Sequence, residues 1–173
     1  LNKTNLNTNF INKIGSTWAN KLATTTWQVG GNTRANIGTA TPSTAYQNEI
    51  VNSVTTNTTD GAKEYSAKIG LMYVSDYYYA ASPSAWTLVG YNSDSTKDYR
   101  AATGDNWMYM GLYEWTISRN SGSSYYAFLV GSTGSVHTDD AHYSYGVRPS
   151  FNLESTVAYV SGSGSMSDPI RVN

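Results

Sequence analysis

The stretch YEWTISRNSGSSYYAFLVGSTGSVHT, residues 113–138, is the most informative about architecture because it contains three candidate β-strands in succession. Its first seven residues alternate between two faces, with Tyr113, Trp115 and Ile117 on one and Glu114, Thr116 and Ser118 on the other. The next two strands, YYAFLVG and SVHT, are joined by Ser-Thr-Gly, which is a β-hairpin signal. We therefore predict neighbouring antiparallel strands here.

Further strands follow toward the C-terminus. The segment YGVRPSFNL is predicted to be a strand in which Pro149 lies at an edge or a bulge, because proline has no N–H to donate to a ladder. The segments TVAYVSG and PIRVN are predicted to be short closing strands around a Gly/Ser-rich turn at 162–167. The C-terminal third is thus predicted to be β-structure.

The N-terminal segment has helical periodicity. Apolar residues recur at four-residue steps, with Ile11 on the same face: the repeating positions are Leu6, Phe10, Ile14, Trp18 and Leu22. Thr4 or Asn5 is a suitable N-cap for this helix. Gly15 weakens the middle, so two shorter helices are the alternative to one. The following TTTWQVGGN is predicted to be a short strand that ends at the paired glycines.

The middle of the chain alternates between loop and regular structure. We predict a surface excursion over 31–63 whose one ordered piece is 44–54, then a buried strand SAKIGLMYV and a short helix SDYYYAAS capped by Ser75 or Asp76. The expected class is α+β, with N-terminal helices followed by a mainly antiparallel twisted sheet. We expect one domain over 1–173, with helices in the region 1–30, long loops at 31–65 and 82–106, and a β-rich region 107–173 that displays the ligand site.

Composition excludes several functions. The chain has 173 residues, a formal net charge of −1, 13% charged residues and no cysteine. Nucleic acid is therefore not an expected partner, and disulfides, thiolate metal sites and cysteine nucleophiles are ruled out. The hydroxyl- and amide-rich surface is typical of secreted bacterial proteins, and no apolar run reaches the length of a membrane span. The opening LNKTNLNTNF lacks an initiator Met, so we expect an extracellular domain attached to a membrane or filament through a missing N-terminal segment.

Residues 137–145 concentrate two histidines, two aspartates and two tyrosines. A metal site is disfavoured because strand alternation places His137 and Asp139 on one face and Asp140 and His142 on the other. No cofactor is expected. A weak calcium site near Asp94 and Asp98, in NSDSTKD, is the one possibility, although that loop lacks the glycine and closing glutamate of an EF-hand. No nucleophile elbow or paired carboxylates indicate a hydrolase.

The remaining interpretation is that this segment forms a surface that recognises a ligand. Residues 120–147 contain no Lys, Glu, Gln, Met or Trp and rely on Tyr, Ser, Gly, Asp, His, Asn and Thr over an apolar frame. Binding surfaces of antibodies use the same residue types, although strand-and-turn composition alone is the alternative explanation. The predicted ligand-binding residues are Tyr125, Tyr126, His137, Asp139, Asp140, His142, Tyr143 and Tyr145. Arg148 is predicted to be structural and to pair with Glu114 or Asp105.

Two motifs carry a resemblance. YGVRPSFNL resembles the closing strand of the C-type-lectin-like fold shared by formylglycine-generating enzymes and the variable proteins of diversity-generating retroelements, and DNWMYMGLYEWTISRNS resembles their tryptophan-bearing strand. The stretch from AKIGLMYVSDYYYAA through GVRPSFNLESTVAYVSGSGSMSDPIRV resembles head domains of pilin-like surface proteins of gut Firmicutes. The resemblance covers roughly residues 67–173 and, more loosely, the N-terminal third.

The resemblance implies an extracellular adhesion domain that binds a protein or carbohydrate on another cell or host. In retroelement-diversified proteins the randomised codons yield residues such as Tyr, Asp, His, Ser and Gly, in agreement with 120–147, although such regions usually lie nearer the C-terminus. Formylglycine-generating activity is not expected because its catalytic cysteines have no counterpart here. A structural pilin or phage tail-tip subunit, and a secreted hydrolase, remain the alternatives.

Overall fold

The computed structural model describes residues 2–39, 41–52, 64–86 and 104–173. Helices and several small, mostly antiparallel sheets occur together, so the predicted α+β class is confirmed. The described residues form two compact units. The central unit contains those of 26–65 and 71–150, and the terminal unit contains those of 1–25, 66–70 and 151–173.

The largest sheet of the central unit has four strands. Its strand order is β2 (Gly31–Asn32), β5 (Glu114–Asn120), β6 (Tyr126–Val130) and β7 (Val136–Asp140). β5, β6 and β7 are antiparallel neighbours, as the opening stretch predicts, whereas β2 runs parallel to β5. A register shift interrupts the β5–β6 pairing between Trp115 and Arg119.

Close packing between β2 and β5 explains why glycine precedes Asn32. A Cβ built on Gly31 would lie 1.8 Å from the backbone oxygen of Arg119, so no side chain fits between β2 and β5. The glycines that sequence analysis interprets as a strand stop therefore allow a short parallel strand to approach β5 closely.

Short helices cover one face of this sheet. They are α2 (Arg34–Thr39), α3 (Pro42–Tyr46) with a π-helical turn Gln47–Val51, and α4 (Val74–Tyr79). A continuous apolar core joins these helices to the strands and includes Ile37, Ala45, Met72, Val74, Tyr77, Tyr78, Phe128, Val130 and Val136. We call the sheet face that meets this core the inner face and the opposite one the outer face.

The predicted loop at 31–65 is wrong over much of its length, although the one piece expected to be ordered, 44–54, does overlap regular structure. β2, α2, α3 and the π-helical turn occupy most of 31–51, and β3 (Glu64–Ala67) begins at its end. The threonine- and asparagine-rich composition hides the helices because Thr41 acts as an N-cap, accepting from the Thr44 N–H at 3.2 Å, and Pro42 follows at the first helical position. Of the second predicted loop, 82–86 contains a 3₁₀ turn (Pro83–Ala85), whereas 87–103 lies outside the described residues.

The helix after residue 73 begins one or two residues before the predicted caps. Tyr73 is the N-cap of α4, and Asp76 accepts a hydrogen bond from the Tyr73 N–H at 2.8 Å. Asp76 therefore satisfies the start of the helix from its third position, which is the reverse half of a capping box.

The helical region that opens the terminal unit is broken at Gly15, in agreement with the predicted alternative of two shorter helices. A π-helical stretch covers Asn2–Phe10 and α1 covers Ile11–Ala19, with Gly15 at φ 79° and ψ 163° inside it. This left-handed φ is one that glycine adopts without steric cost, so the kink falls at Gly15. The apolar face expected here lines a groove of about 300 Å³ formed by Phe10, Ile14, Trp18, Leu22 and Phe151.

The predicted strand 66–74 is interrupted. It divides into β3 and β4 (Gly70–Leu71) because the Asn7 side chain takes both backbone groups of Ile69. Asn7 Nδ2 donates to the Ile69 oxygen at 2.8 Å, and Asn7 Oδ1 accepts from the Ile69 N–H at 2.9 Å. A side chain distant in sequence thus replaces the ladder bonds that a continuous strand would make.

The remaining strands are short. β1 (Thr25–Gln28) pairs with β3, β4 pairs with β8 (Pro149–Ser150), and β9 (Tyr159–Ser161) pairs antiparallel with β10 (Arg171–Val172). The predicted strand around Pro149 is therefore reduced to two residues, whereas the closing pair and its glycine turn are confirmed. None of the helices in the described ranges combines the length and the hydropathy needed to cross a bilayer.

Candidate functional site

The candidate site is built on the β6–β7 hairpin. Its register pairs Tyr126 with Asp140, Ala127 with Asp139, Phe128 with Thr138, Leu129 with His137 and Val130 with Val136. Phe128, Val130 and Val136 belong to the core, so this set marks the inner face. Asp139 and His137 share the outer face, as alternation predicts, whereas Asp140 lies with Tyr126 on the inner face.

The hairpin turn fixes the position of His137. The Gly131 N–H donates to the Ser135 oxygen at 2.8 Å, and the Tyr77 hydroxyl donates to the Gly134 oxygen at 2.8 Å. Ser135 Oγ and His137 Nε2 are 2.8 Å apart. Burial lowers the pKa of His137 against the opposing charge of Asp139, so this imidazole favours its neutral form.

The chain after β7 folds back along β5. The Ala141 N–H donates to the Tyr125 oxygen at 3.0 Å, and the Gly146 N–H donates to the Tyr113 oxygen at 2.9 Å. The Trp115 N–H returns a bond to the Gly146 oxygen at 2.9 Å. These backbone bonds hold residues 141–146 on the outer face of the sheet.

Three tyrosines form a row on this face. The rings of Tyr113 and Tyr145 are stacked, with centroids 5.2 Å apart and an interplanar angle of 25°, and Tyr143 lies 6.0 Å beyond Tyr145. Tyr113 and Tyr143 are 44% and 49% exposed, while Tyr145 between them is half-buried. We call these three residues the tyrosine row.

Tyr145 is held from two sides. Its hydroxyl donates to Asp139 Oδ2 at 2.6 Å, and its ring lies 5.1 Å from that of the buried Trp115. The hydrogen bond to Asp139, with smaller contributions from burial and neighbouring charges, raises the pKa of Tyr145 to about 12. Tyr145 therefore stays neutral over the physiological range and keeps its donor role.

An exposed pair lies at the end of the row. His142 Nδ1 is 2.9 Å from Asp140 Oδ1, and the His142 ring lies 4.2 Å from that of Tyr143. The hydrogen bond from His142 lowers the pKa of Asp140, so this carboxylate stays ionised. His142 is exposed and Asp140 is half-buried, so the pair is accessible to a partner mainly from the His142 side.

Tyr126 faces the other side of the hairpin. The guanidinium carbon of Arg34 lies 4.7 Å from the Tyr126 ring centroid, which is a cation–π arrangement, and Arg34 Nε donates to Thr138 Oγ1 at 2.6 Å. Tyr125 precedes β6 and is 72% exposed.

The predicted site residues thus divide by exposure and by face. Tyr125, Tyr126, His142 and Tyr143 are exposed, whereas His137, Asp139, Asp140 and Tyr145 are half-buried and the last acts as an internal support. Prediction missed Tyr113, Trp115 and Arg34 as members of the site. The alternation of 113–119 already places the first two on one face, but Arg34 is 104 residues from Thr138 and gives no local signal.

A partly buried ion pair lies at the base of the site. Arg148 donates to Glu114 through Nε at 2.9 Å and Nη2 at 2.7 Å, and Nη2 also donates to the Met108 oxygen at 2.6 Å. The predicted structural role of Arg148 with Glu114 is confirmed, and Asp105 is exposed. This two-pronged geometry fixes the strand that follows the tyrosine row.

A second buried acid lies beneath the sheet. Glu49 is fully buried, and its oxygens accept from the Ser118 hydroxyl at 2.6 Å and the Ser75 N–H at 3.1 Å. Burial, opposed by these hydrogen bonds, raises the pKa of Glu49 to about 7. Glu49 faces the core, so it lies on the opposite side of the sheet from the tyrosine row.

The described residues bring together no group of three or more metal-ligating side chains. The possible calcium ligands Asp94 and Asp98 lie outside the described residues. Comparison with protein families, with curated proteins and with solved structures found no match to this chain. The class that the structure shows is α+β, with several small, mostly antiparallel sheets.

Proposed function

We propose that this chain is an extracellular ligand-binding domain of a bacterial surface or pilin-like protein, which adheres through the outer face of its central sheet. The observation that carries the proposal is the tyrosine row: large rings are displayed to solvent on a framework that holds them in place. The partner is a protein or a carbohydrate on another cell or host.

The row combines exposure with rigidity. A tyrosine buries a large area on binding and loses little conformational entropy, particularly where its ring is already stacked. Tyr113 and Tyr143 supply contact area, whereas Tyr145, Asp139 and Trp115 position them. This arrangement is the one expected of a preorganised binding surface.

Polar groups beside the tyrosine row supply hydrogen bonds that would orient a ligand. Asp140 and its hydrogen-bond partner His142 offer a carboxylate acceptor and an imidazole to a ligand that contacts the row. Tyr125, which precedes β6 at the open end of the hairpin, is a further exposed ring. No catalytic residue is assigned in this proposal.

The finer identity proposed is a C-type-lectin-like domain diversified by a retroelement. Support comes from the composition of 120–147, which lacks Lys, Glu, Gln, Met and Trp, and from the backbone bonds that hold 141–146 independently of side-chain identity. Sequencing the locus tests this directly. A reverse transcriptase beside a near-copy of the 120–147 coding region is expected, and a locus with neither contradicts diversification.

Binding is tested with single ring removals. Tyr113→Ala and Tyr143→Ala are expected to lower binding on glycan and cell-surface-protein arrays by at least about 10-fold each, in line with central aromatic contacts. Tyr159→Ala is the matched control because Tyr159 is 65% exposed and lies in the terminal unit. The proposal fails if the wild-type chain captures nothing on either array, or if both row variants bind as the control does.

A further inference from the structure

The groove of the terminal unit is lined by hydrophobic side chains. Phe151 comes from a segment near the C-terminus, and the other lining residues recur at every fourth position of the N-terminal region: Phe10, Ile14, Trp18 and Leu22. We call these five residues the apolar groove. Its volume of about 300 Å³ is at the lower end of the roughly 300–1,000 Å³ typical of ligand pockets, so it suits a slim ligand.

Backbone hydrogen bonds join the two segments that form the apolar groove. The Ala23 N–H donates to the Asn152 oxygen at 2.9 Å, and the Glu154 N–H donates to the Lys21 oxygen at 2.8 Å. These bonds lie directly after Trp18 and Leu22 in one segment and directly after Phe151 in the other. The apolar groove therefore exists before a ligand binds.

The apolar groove grades from exposed rings to a buried floor. Trp18 is 52% exposed and Phe151 is 47% exposed, whereas Leu22 is 2% exposed. Hydrophobic surface that remains in contact with water favours a ligand that removes it from water. A ligand with a hydrocarbon chain would cover both rings and contact Leu22.

The terminal unit has an excess of positive charge. It contains two acids, Glu154 and Asp168, against five cationic side chains: Lys3, Lys13, Lys21, Lys68 and Arg171. Asp168 pairs with Arg171 at 3.0 Å. None of the four lysines lies within ion-pair distance of a carboxylate in the part of the chain that the structure describes. This charge complements an anionic ligand.

Lys13 lies on the helical surface beside the start of the apolar groove. It is exposed and follows Phe10 by three residues, a spacing that makes two positions neighbours on a helix. The first 48 residues of the chain contain no acid. Glu154 lies beside Lys21, which precedes Leu22 at the other end of the row. An anionic group at Lys13 therefore meets a cation and avoids Glu154.

We propose that the apolar groove binds the hydrocarbon chain of a fatty acid, whose carboxylate pairs with Lys13. Each methylene group that leaves water for the apolar lining adds to the affinity. Because the hydrophobic residues line a concavity, a single chain fits where the flat surface of a bilayer does not. The apolar groove belongs to the terminal unit and the tyrosine row to the central unit, so this inference does not depend on the proposed function.

The experiment is an NMR titration of the full chain with sodium decanoate below its micelle-forming concentration. Saturable shifts are expected at the indole N–H of Trp18 and the amides of Ile14 and Phe151, with a Kd of about 1 mM or lower. Octanoate lacks two methylene groups and is expected to bind about 10-fold more weakly. Decyltrimethylammonium has the same chain and the opposite charge, and is expected to bind at least about 5-fold more weakly than decanoate.

Three results of this titration would overturn the inference. The absence of saturable shifts with decanoate would show that no fatty acid binds. Equal binding of octanoate and decanoate would show that the chain does not enter the apolar groove. Equal binding of decyltrimethylammonium would show that the lysines do not select an anion.

Variants of the apolar lining locate the ligand. Trp18→Ala is expected to weaken decanoate binding at least about 10-fold, because it removes the largest ring of the apolar groove. Phe151→Ala tests the same contact from the other segment. Trp107→Ala is the matched control, since Trp107 is 79% exposed and belongs to the central unit. Binding that is unchanged in both groove variants places the ligand elsewhere and overturns the inference.

Variants of Lys13 test the position of the carboxylate. Lys13→Gln is expected to weaken decanoate binding about 3-fold, and Lys13→Arg, which keeps the charge, is expected to bind as wild type does. Neither variant is expected to weaken the binding of decyltrimethylammonium. Equal binding of decanoate by Lys13→Gln and wild type would contradict the pairing of the carboxylate with Lys13.

Two other occupants of the apolar groove give different results. A bilayer as the occupant predicts that the chain sediments with vesicles of phosphatidylcholine and phosphatidylglycerol, while decanoate causes no saturable shifts. A second copy of the chain predicts that the Trp18 and Phe151 signals move on dilution of the protein alone. Either result overturns the assignment to a fatty acid.

Discussion

The two faces of the central sheet use the same strands for opposite purposes. On the inner face, Glu114 and Ser118 of β5 are buried and bonded to Arg148 and Glu49. On the outer face, Trp115 of the same strand supports tyrosines that remain open to solvent. Alternation along one strand thus separates a closed polar network from a displayed surface, and changes on the two faces should have different consequences for stability and binding.

The largest effect is expected on the inner face. Arg148→Ala leaves Glu114, whose side chain is 6% exposed, without its charge partner, and should lower the free energy of unfolding by about 3 kcal/mol or more. Chemical denaturation at neutral pH measures this loss. Arg171→Ala, which breaks the exposed pair with Asp168, is the control and should change the midpoint little. Equal effects of the two substitutions would show that the Arg148–Glu114 pair contributes no more to stability than the exposed Arg171–Asp168 pair.

The second-largest effect expected is a pH dependence of the free energy of unfolding that arises from Glu49. Glu49 has an ordinary pKa of 4.5 and a folded-state pKa of about 7, so the folded protein holds this proton more tightly than the unfolded chain does. The stabilisation is complete below pH 4.5 and is lost as pH rises to about 7, at a cost of about 3 kcal/mol.

Glu49→Gln removes this titration and keeps an acceptor for Ser118. The variant should therefore be more stable relative to wild type at pH 8 than at pH 5, with a larger free energy of unfolding measured by denaturation at both values. Subtracting the two proteins cancels the other titrating groups, which are common to both. A relative gain of wild type on raising the pH would mean that Glu49 is ionised and well solvated.

A smaller effect is expected where the outer face meets its support. Tyr145→Phe removes the 2.6 Å hydrogen bond to Asp139 and keeps the stacked ring, so the melting temperature should fall less than in Arg148→Ala. Tyr143→Phe, which removes a hydroxyl from an exposed ring, is the matched control. If both substitutions are silent in calorimetry, Tyr145 does not position the row.

The smallest effect on stability is expected at the tip of the row. Tyr143→Ala should change the free energy of unfolding by no more than about 0.5 kcal/mol, because its ring is 49% exposed. Binding should nevertheless fall, so stability and affinity are separated at this position. A large loss of stability in denaturation would place Tyr143 in the structural framework and not in the displayed surface.

The N-terminal and middle parts of the chain are harder to predict from sequence than the C-terminal strands. The helical period of Leu6 to Leu22 is visible in the sequence, but the division of 66–74 into two strands is not, because it depends on Asn7 bonding Ile69 across 62 positions. Likewise, the helices within 31–51 depend on caps inside a segment of low hydrophobicity. Their stabilising contacts come from the core of the central unit and leave little periodic signal.

The candidate site shows the same division. Composition locates the segment 137–145, and the separation of His137 and Asp139 from Asp140 follows from strand alternation. Which of these side chains face solvent and which serve as supports could not be predicted, because this depends on the return of 141–146 along β5.

Local sequence was sufficient to predict the α+β class and the β5, β6 and β7 strands with their hairpin turn, whereas it left Glu114 and Asp105 as alternative partners of Arg148. Strand period and turn chemistry are local properties, so they can be read from neighbouring residues. The folded chain was needed to show that Arg34 meets Thr138 across 104 positions and that Glu49 meets Ser118 across 69. Contacts at such separations are selected by the packing of the whole core, which no local pattern encodes.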